Sequence, residues 1–437
     1  MERLHNDPSF LPMYQAYEDF MRTADVPFSI TIQRGETISY TLPLPIHQDR
    51  EESYPFVKKI ILVLLWMIGG GRILFHGDKA MFDLILSRKD QDPELETTLS
   101  EMKEIFQKEV SFLYTEETFE NRFEKHQVAG EFQGCRIGFD AGGSDRKVSA
   151  VIDGKVVFSE EVLWLPKEQE DYRYHYDGIL DSLKRAASHL PRIDSIGIST
   201  AGVVIDNEMA QPALFYAVPK EEQRTHVRTI FKDILKKNFP NVNYAVANDG
   251  DASAIGASVL FHKNHVLGLA LGTSFASGYC SDNAFSGWLN ELGKAPFNFA
   301  SDAIYHYSMH IQGAASEYLS QKGIIRLCEH AGIHFEGTLA EQLKQIQALA
   351  DCGDERVLEC YHEMGIYLAS ALIGYALFFR IDSVLLLGRV LTGKGGEMLC
   401  RSCQEFLSHE RPDLKMEIFT ADENFKRLGQ SYIAAAL

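Results

Sequence analysis

Apolar residues alternate with small or polar ones through Arg136 to Phe158, which reads RIGFDAGGSDRKVSAVIDGKVVF. Ile137 and Phe139 form one arm and Val148, Ala150 and Ile152 the other, at the period of two that a half-buried strand requires. Between the arms, Asp140-Ala141-Gly142-Gly143-Ser144-Asp145 turns the chain back on itself, and Asp153-Gly154 turns it again into a third strand over Val156 to Leu165. The period then changes. Tyr176, Ile179, Leu180, Leu183 and Ala187 fall at helical spacing, and Ile193 to Ser199 reads as a buried strand. Val227, Ile230, Phe231, Ile234 and Leu235 predict a second helix, and Val242 to Val246 a strand running into Asn248-Asp249. Ala252, Ile255, Gly256, Val259 and Leu260 predict a third helix. Three hairpin-linked strands followed by alternating helices and strands make one α/β layer.

The pattern restarts at Val266 to Leu271, a strand that enters the small-residue turn Gly272-Thr273-Ser274-Phe275-Ala276-Ser277-Gly278 and returns from Tyr279 onward. A long helical stretch is expected from Asp302 to Phe379, then a strand at Val384 to Leu387, a helix at Met398 to Leu407, a strand at Met416 to Phe419 and a last helix. The chain thus divides into two similar halves, 135–262 and 263–437, each opened by a hairpin with a small-residue turn. Ahead of them, residues 1–130 read as an α+β extension. It carries a hairpin from Phe28 to Leu42 around Arg34-Gly35-Glu36, an apolar element at Val57 to Met67 and a short strand at Ile73-Leu74-Phe75. Helices at Lys79 to Leu86 and Leu95 to Phe106 and a strand at Val110 to Tyr114 complete it. Its apolar runs are too long to leave exposed, so it is expected to pack on the body of the protein.

Composition narrows the partners. A net charge of −18 over 437 residues argues against nucleic acid or an anionic membrane, and the extension carries 14 Lys/Arg against 22 Asp/Glu. Seven cysteines without a framework spacing and the lack of a secretory signal point to a cytoplasmic setting. Cys400-Arg-Ser-Cys403 lies in a helical pattern without a second pair and reads as structural. The longest apolar run, Ile60 to Ile68, is too short to span a bilayer.

Four segments carry candidate chemistry. Gly142 and Gly143 leave no Cβ in the way, so their backbone N–H groups can point at a phosphate. An ionised Asp140 beside them would repel a bare phosphate and makes sense with a cation between, most simply Mg²⁺, whereas the plain reading is a hairpin turn. Asp249, at the end of a strand and before a helix, can take the proton of an attacking hydroxyl, against the plainer reading of a helix N-cap. Gly197 to Asp206, GISTAGVVID, has small residues where a ligand can approach closely, or is a turn between strands. In Trp288-Leu289-Asn290-Glu291-Leu292-Gly293-Lys294, Glu291 can accept from two hydroxyls and Lys294 can pair with it or with a ligand, against a solvated loop.

In order and spacing, these segments from Cys135 onward resemble the ROK family of sugar kinases and related repressors, within the actin, hexokinase and Hsp70 superfamily. The first phosphate motif is matched by Asp140-Ala141-Gly142-Gly143-Ser144, the sugar-domain glycine motif by Thr200-Ala201-Gly202 with Asp206, and the catalytic pair by Asn248-Asp249. The second phosphate motif is matched by Leu271-Gly272-Thr273, the sugar-contacting Glu-x-Gly by Glu291-Leu292-Gly293, and the adenosine-side segment by Leu387-Gly388. The resemblance implies two ribonuclease H-like, actin-like ATPase halves around a central cleft. It further implies ATP and Mg²⁺ as cofactors, a small-molecule sugar as substrate, and Asp249 as general base. By the same resemblance Asp140 is a partner of Mg²⁺ through water, and Gly202, Asn248, Glu291 and Lys294 lie on the sugar side. It leaves a homodimer open. Departures accompany it: Lys294 stands where the family has a histidine, the cysteine-rich zinc motif is absent so that no structural zinc is expected, and Ala213 replaces a sugar-binding asparagine. Ser274, Ala276 and Ser277 stand where glycines are usual, and Arg389 lies in a glycine-rich adenosine stretch. The leading expectation is phosphorylation of a hexose or related carbohydrate; the alternative is a non-catalytic sugar or nucleotide sensor on the same fold.

Overall fold

A computed structural model describes residues 4–123, 126–127, 132–282, 284–285, 287–420 and 423–437. The expected end of the extension at residue 130 lies outside the described residues. By contacts the chain forms two units, one of Met1–Glu124, Leu269–Ser277 and Asn290–Phe419, the other of Lys125–Gly268, Gly278–Leu289 and Thr420–Leu437.

In the second unit the hairpin-linked strands form where the period of two predicts them, but Cys135–Ala141 is buried at every position rather than on one face. Cys135–Ala141, Asp145–Ile152 and Lys155–Leu163 run antiparallel, and Ser195–Thr200 and Asn243–Asn248 add parallel to the other edge of Cys135–Ala141. Helices Tyr172–Ala187 and Ile230–Asn238 bury Ile179, Leu183, Phe231 and Ile234 against Ile137, Phe139, Ile196 and Ile198. The other face of the sheet takes the chain's last helical segment at very short range. A Cβ built on Gly138 or Gly197 would fall 1.8 Å from the carbonyl oxygen of Ser431 or Ala434, so only glycine lets the backbones meet there. The buried Arg136 guanidinium fastens that segment by donating to the Ala435 and Leu437 carbonyls.

In the first unit the extension is a four-stranded sheet in the order Ile38–Pro43, Phe28–Arg34, Arg72–Gly77, Ser111–Tyr114. The last pair is parallel and the others antiparallel. The apolar element is the helix Arg50–Met67, capped by the Asp49 side chain and buried continuously from Ile60 to Met67. Helices Lys79–Arg88 and Pro93–Phe106 follow, capped by Asp78 and Asp92. The extension packs within this unit, as its apolar runs required. Where one helical stretch was expected over 302–379, the chain instead forms a short ladder of Tyr305–His306 with Ile311–Gln312 and then helices Gln321–His330, Leu339–Cys352 and Glu355–Tyr375. Four glycines at positive φ break the pattern, among them Gly332 and Gly337 between the first two helices. Gly313 sits at φ 77° against the Asn298 carbonyl, and Gly353 ends a helix in the left-handed region.

Candidate active site

The clearest chemistry lies in the second unit, at the carboxyl ends of three parallel strands, where open α/β sheets bind their ligands. In register, Asp140 lies opposite Ser199 and Asn248 opposite Thr200, so Asp140 and Asp249 come from the two strands that flank Ser195–Thr200, at the same end. Asp140 is 8% exposed. Burial and then the Asp249 charge push its carboxyl up to about 7, against the pull of Lys147, its cross-strand partner in the hairpin. Lys147 also pairs with Asp145 at 3.0 Å.

Asn248, not Asp249, caps the following helix. Its Oδ1 accepts from the Gly250 N–H at 2.7 Å while its Nδ2 donates to the Gly202 carbonyl at 2.6 Å. Asp249 is the first residue of the helix Asp249–Phe261, where the helix dipole favours a negative charge, and Gly250 N–H also donates to its Oδ1 at 2.9 Å. Gln430 Nε2 ties the start of the helix by donating to the Asp249 carbonyl and the Ser253 hydroxyl. Gly278 gives the helix its seat, since a Cβ there would lie 2.1 Å from the Gly250 carbonyl carbon. Gly202, at φ 110°, is pressed against the Gln211 carbonyl, and Ala213 in the same stretch is exposed.

The first phosphate-type turn joins this edge. Trp164 folds over it, with its indole N–H donating to the Gly142 carbonyl at 2.8 Å and its backbone N–H to the Ser144 carbonyl at 3.1 Å. Ser144 Oγ meets Asp145 at 3.1 Å, and the Lys167 ammonium lies 3.8 Å from where a Gly143 Cβ would stand.

The remaining candidates lie in the first unit, in two groups. Gly272 and Thr273 sit in a turn closed by the Gly272 N–H to the Ser274 carbonyl, and the Gly272 carbonyl accepts from Gln321 N–H at 2.9 Å. Gly388, at φ 109°, lies against Leu271, where its Cβ would fall 2.2 Å from the carbonyl oxygen. Thus Gly272, Thr273 and Gly388 are neighbours.

The second group centres on Glu291. Its backbone N–H donates to the Trp66 carbonyl and that of Asn290 to the Met67 carbonyl, both at 3.0 Å, so the last carbonyls of Arg50–Met67 are satisfied by this turn. Lys294 Nζ lies 3.2 Å from Glu101 and 4.5 Å from the Trp66 ring centroid. The Glu291 carboxyl is held above its usual range by desolvation, opposed by Lys294 and reinforced by Glu101. Ser277 supplies a further tie, donating to the Asn290 carbonyl at 2.6 Å and accepting from Leu292 N–H at 3.2 Å. Sequence reasoning does not single out Trp66, Glu101 and Lys147 as site neighbours, and it places Ser277 only in the second phosphate turn. Only Lys147 had a usable signal there, because the hairpin register sets it opposite Asp140.

Strand–turn–strand elements at 135–152 and 266–281, each followed by α/β structure, define the actin-like ATPase class of fold. The ROK family model matches residues 136–429, and the chain belongs to the ROK family. Similar solved structures include a ROK family glucokinase from Streptomyces griseus in complex with glucose and AMPPNP, 19% identical over 69% of this chain and 98% of that one, TM-score 0.50. A ROK hexokinase from Thermus thermophilus is 18% identical over 69% and 97%, TM-score 0.52. A ROK family transcriptional regulator, a homologue of the E. coli MLC protein, is 17% identical over 69% and 78%, TM-score 0.54. No curated protein matches the chain. The family therefore spans kinases and regulators, and residues 1–135 lie outside the family match. Among the described residues no helix is long and apolar enough to cross a membrane.

Proposed function

We propose that the chain transfers the γ-phosphoryl group of ATP to a hydroxyl of a hexose or related carbohydrate, with Asp249 as general base. The observation that carries this reading is the pairing of Asp249 with Asp140 at the carboxyl ends of parallel strands, with Asn248 taking the cap. A carboxylate at that strand end can accept the proton of an attacking hydroxyl. The sugar oxygen then bonds to the γ-phosphorus as the bond to the β,γ-bridging oxygen breaks, and ADP carries away the electron pair. In this reading the Gly142–Gly143 turn offers backbone N–H groups to phosphate oxygens and the Gly272–Thr273 turn faces them with the Gly272 N–H itself spent on the Ser274 carbonyl, while Gly388 lies on the adenosine side.

Mg²⁺ fits the first of these groups. Asp140 is a buried carboxyl that its neighbour Asp249 pushes toward protonation, and a nearby divalent cation relieves that repulsion. Among the described residues no three His, Cys, Asp or Glu side chains are grouped to hold a metal, so its other ligands would be water and phosphate oxygen. Bound there, the ion supplies neutralisation of phosphate charge.

A second reading, a sugar or nucleotide sensor without turnover, is favoured by one specific feature. Asn248 spends both ends of its amide on the protein itself. The two readings separate in an ADP-release assay with ATP over glucose, mannose, fructose, N-acetylmannosamine and polyols, with and without Mg²⁺. Sugar-dependent ADP release that chelation abolishes is expected. Thermal stabilisation by a sugar with no ADP release from any of them would establish the sensor.

A further inference from the structure

We propose that Trp66 and Glu101, from the part of the chain that precedes the ROK match, are positioning residues for Glu291 and so set the sugar affinity of the site. This rests on the kinase reading above and on its placement of Glu291 at the sugar hydroxyls. The contacts run across three separate segments. The helix Arg50–Met67 ends with its Trp66 and Met67 carbonyls accepting from the Glu291 and Asn290 N–H groups at 3.0 Å, which fixes the backbone that carries the carboxylate. Trp66 is fully buried and lays its ring beneath the Lys294 ammonium. The helix Pro93–Phe106 brings Glu101 to the other side of the same ammonium at 3.2 Å.

The Lys294 ammonium thus meets Glu101 and the Trp66 ring directly, while its charge also acts on the Glu291 carboxyl. Held by Glu101 and Trp66, it is drawn from a close pair with Glu291, whose oxygens then remain acceptors for hydroxyls. A direct Glu291–Lys294 pair would occupy those acceptors. The charged groups around Glu291 are Lys294 and Glu101, and Glu101 in turn acts on His306 of the neighbouring ladder. Nothing in a family-wide motif marks this arrangement, because it needs residues from outside the family match.

The sign of each charge gives a test that simple loosening of the fold would not mimic. Sugar binding requires ionised Glu291, so affinity falls as pH drops through its pKa. Removing the Glu101 charge lets Glu291 lose its proton at lower pH, and removing the Lys294 charge makes it hold the proton to higher pH. The measurement is calorimetric titration of the full-length protein, without nucleotide, with whichever of glucose, mannose and N-acetylmannosamine gives the fastest ADP release, from pH 4 to 8. Glu101→Gln is expected to weaken binding at pH 8 about tenfold and to move the acid midpoint down by about half a unit or more. Lys294→Met is expected to move that midpoint up by a similar amount. Trp66→Phe, which keeps a ring beneath the ammonium, should restore most of a loss of about two- to fivefold seen in Trp66→Leu. Steady-state kinetics should place the Glu101→Gln effect in KM, with kcat near wild type.

Active wild-type protein with Glu101→Gln and Lys294→Met variants that share its affinity and midpoint would overturn the inference and leave the kinase reading intact. Midpoints that move in the same direction would also overturn it. Wild-type protein that neither binds nor phosphorylates any of these sugars would remove the kinase reading and this inference together.

Discussion

The strand ends that carry Asp140 and Asp249 and the turn that carries Glu291 are built in opposite ways. At the strand ends, regular sheet register delivers both carboxylates, and the supporting groups come from the same hairpin, the same helix start or the segment that seats it. The Glu291 turn has almost no regular structure of its own. It is held by one residue of the second small-residue turn, Ser277, and by two helices about two hundred residues earlier in the chain. Sheet register alone thus places the first pair of carboxylates, whereas Glu291 depends on contacts made only once distant helices pack. Lys294 and Ser277 are two of the turn's fasteners.

Removing the base is expected to have the largest effect on the first region. Asp249→Asn should lower kcat by about 10²- to 10⁴-fold while sugar binding, measured by thermal shift, stays near wild type. If turnover survives that change, the strand ends are not the reacting edge. Asp140→Asn probes the same edge through stability. Because the native carboxyl keeps its proton up to about 7 while the unfolded one loses it near 3.8, the native state binds more protons between these values, and stability falls as pH rises through that window. Asp140→Asn should abolish that slope and gain at most about 4 kcal/mol at pH 8 without metal, read from unfolding midpoints at pH 4, 6 and 8. An unchanged slope in the variant would assign the pH dependence elsewhere. The smallest effect belongs to the second region. Ser277→Ala removes the donor to Asn290 and the acceptor for Leu292, with an expected loss of about 1–2 kcal/mol and a rise of several-fold in sugar KM at constant kcat. A fall in kcat with KM unchanged would mean that Ser277 serves the phosphate turn rather than the Glu291 turn.

Much of this was legible in the sequence because it is local. Alternation over Ile137 to Ile152 predicts the hairpin, the strand from Val242 predicts the element that ends at Asn248, and two of the extension's helices, Lys79–Arg88 and Pro93–Phe106, fall within a few residues of their predicted limits, whereas the pattern does not predict its first helix, Met13–Met21. Adjacent residues could not be assigned separate roles by type alone. Asn248 and Asp249 both suit a cap, and only the backbone at Asn248, extended at φ −62° and ψ 150°, assigns it to the first. The expected helix over 302–379 failed where Gly313, Gly332, Gly337 and Gly353 take positive-φ backbone conformations that interrupt it. The contacts of Lys294 were invisible for a different reason: no periodicity links residue 294 to residues 66 and 101, since the contact exists only once both helices pack.

Phosphoryl transfer to a sugar is seen most directly in the product itself. Phosphorus NMR of a mixture of the purified protein, ATP, Mg²⁺ and the panel sugars should show the γ-phosphate signal replaced by a phosphomonoester, with ADP in equal amount. The same mixture with Asp249→Asn should remain unchanged over the same time. Inorganic phosphate as the only new signal, or the same phosphomonoester from both proteins at equal rate, would contradict the account.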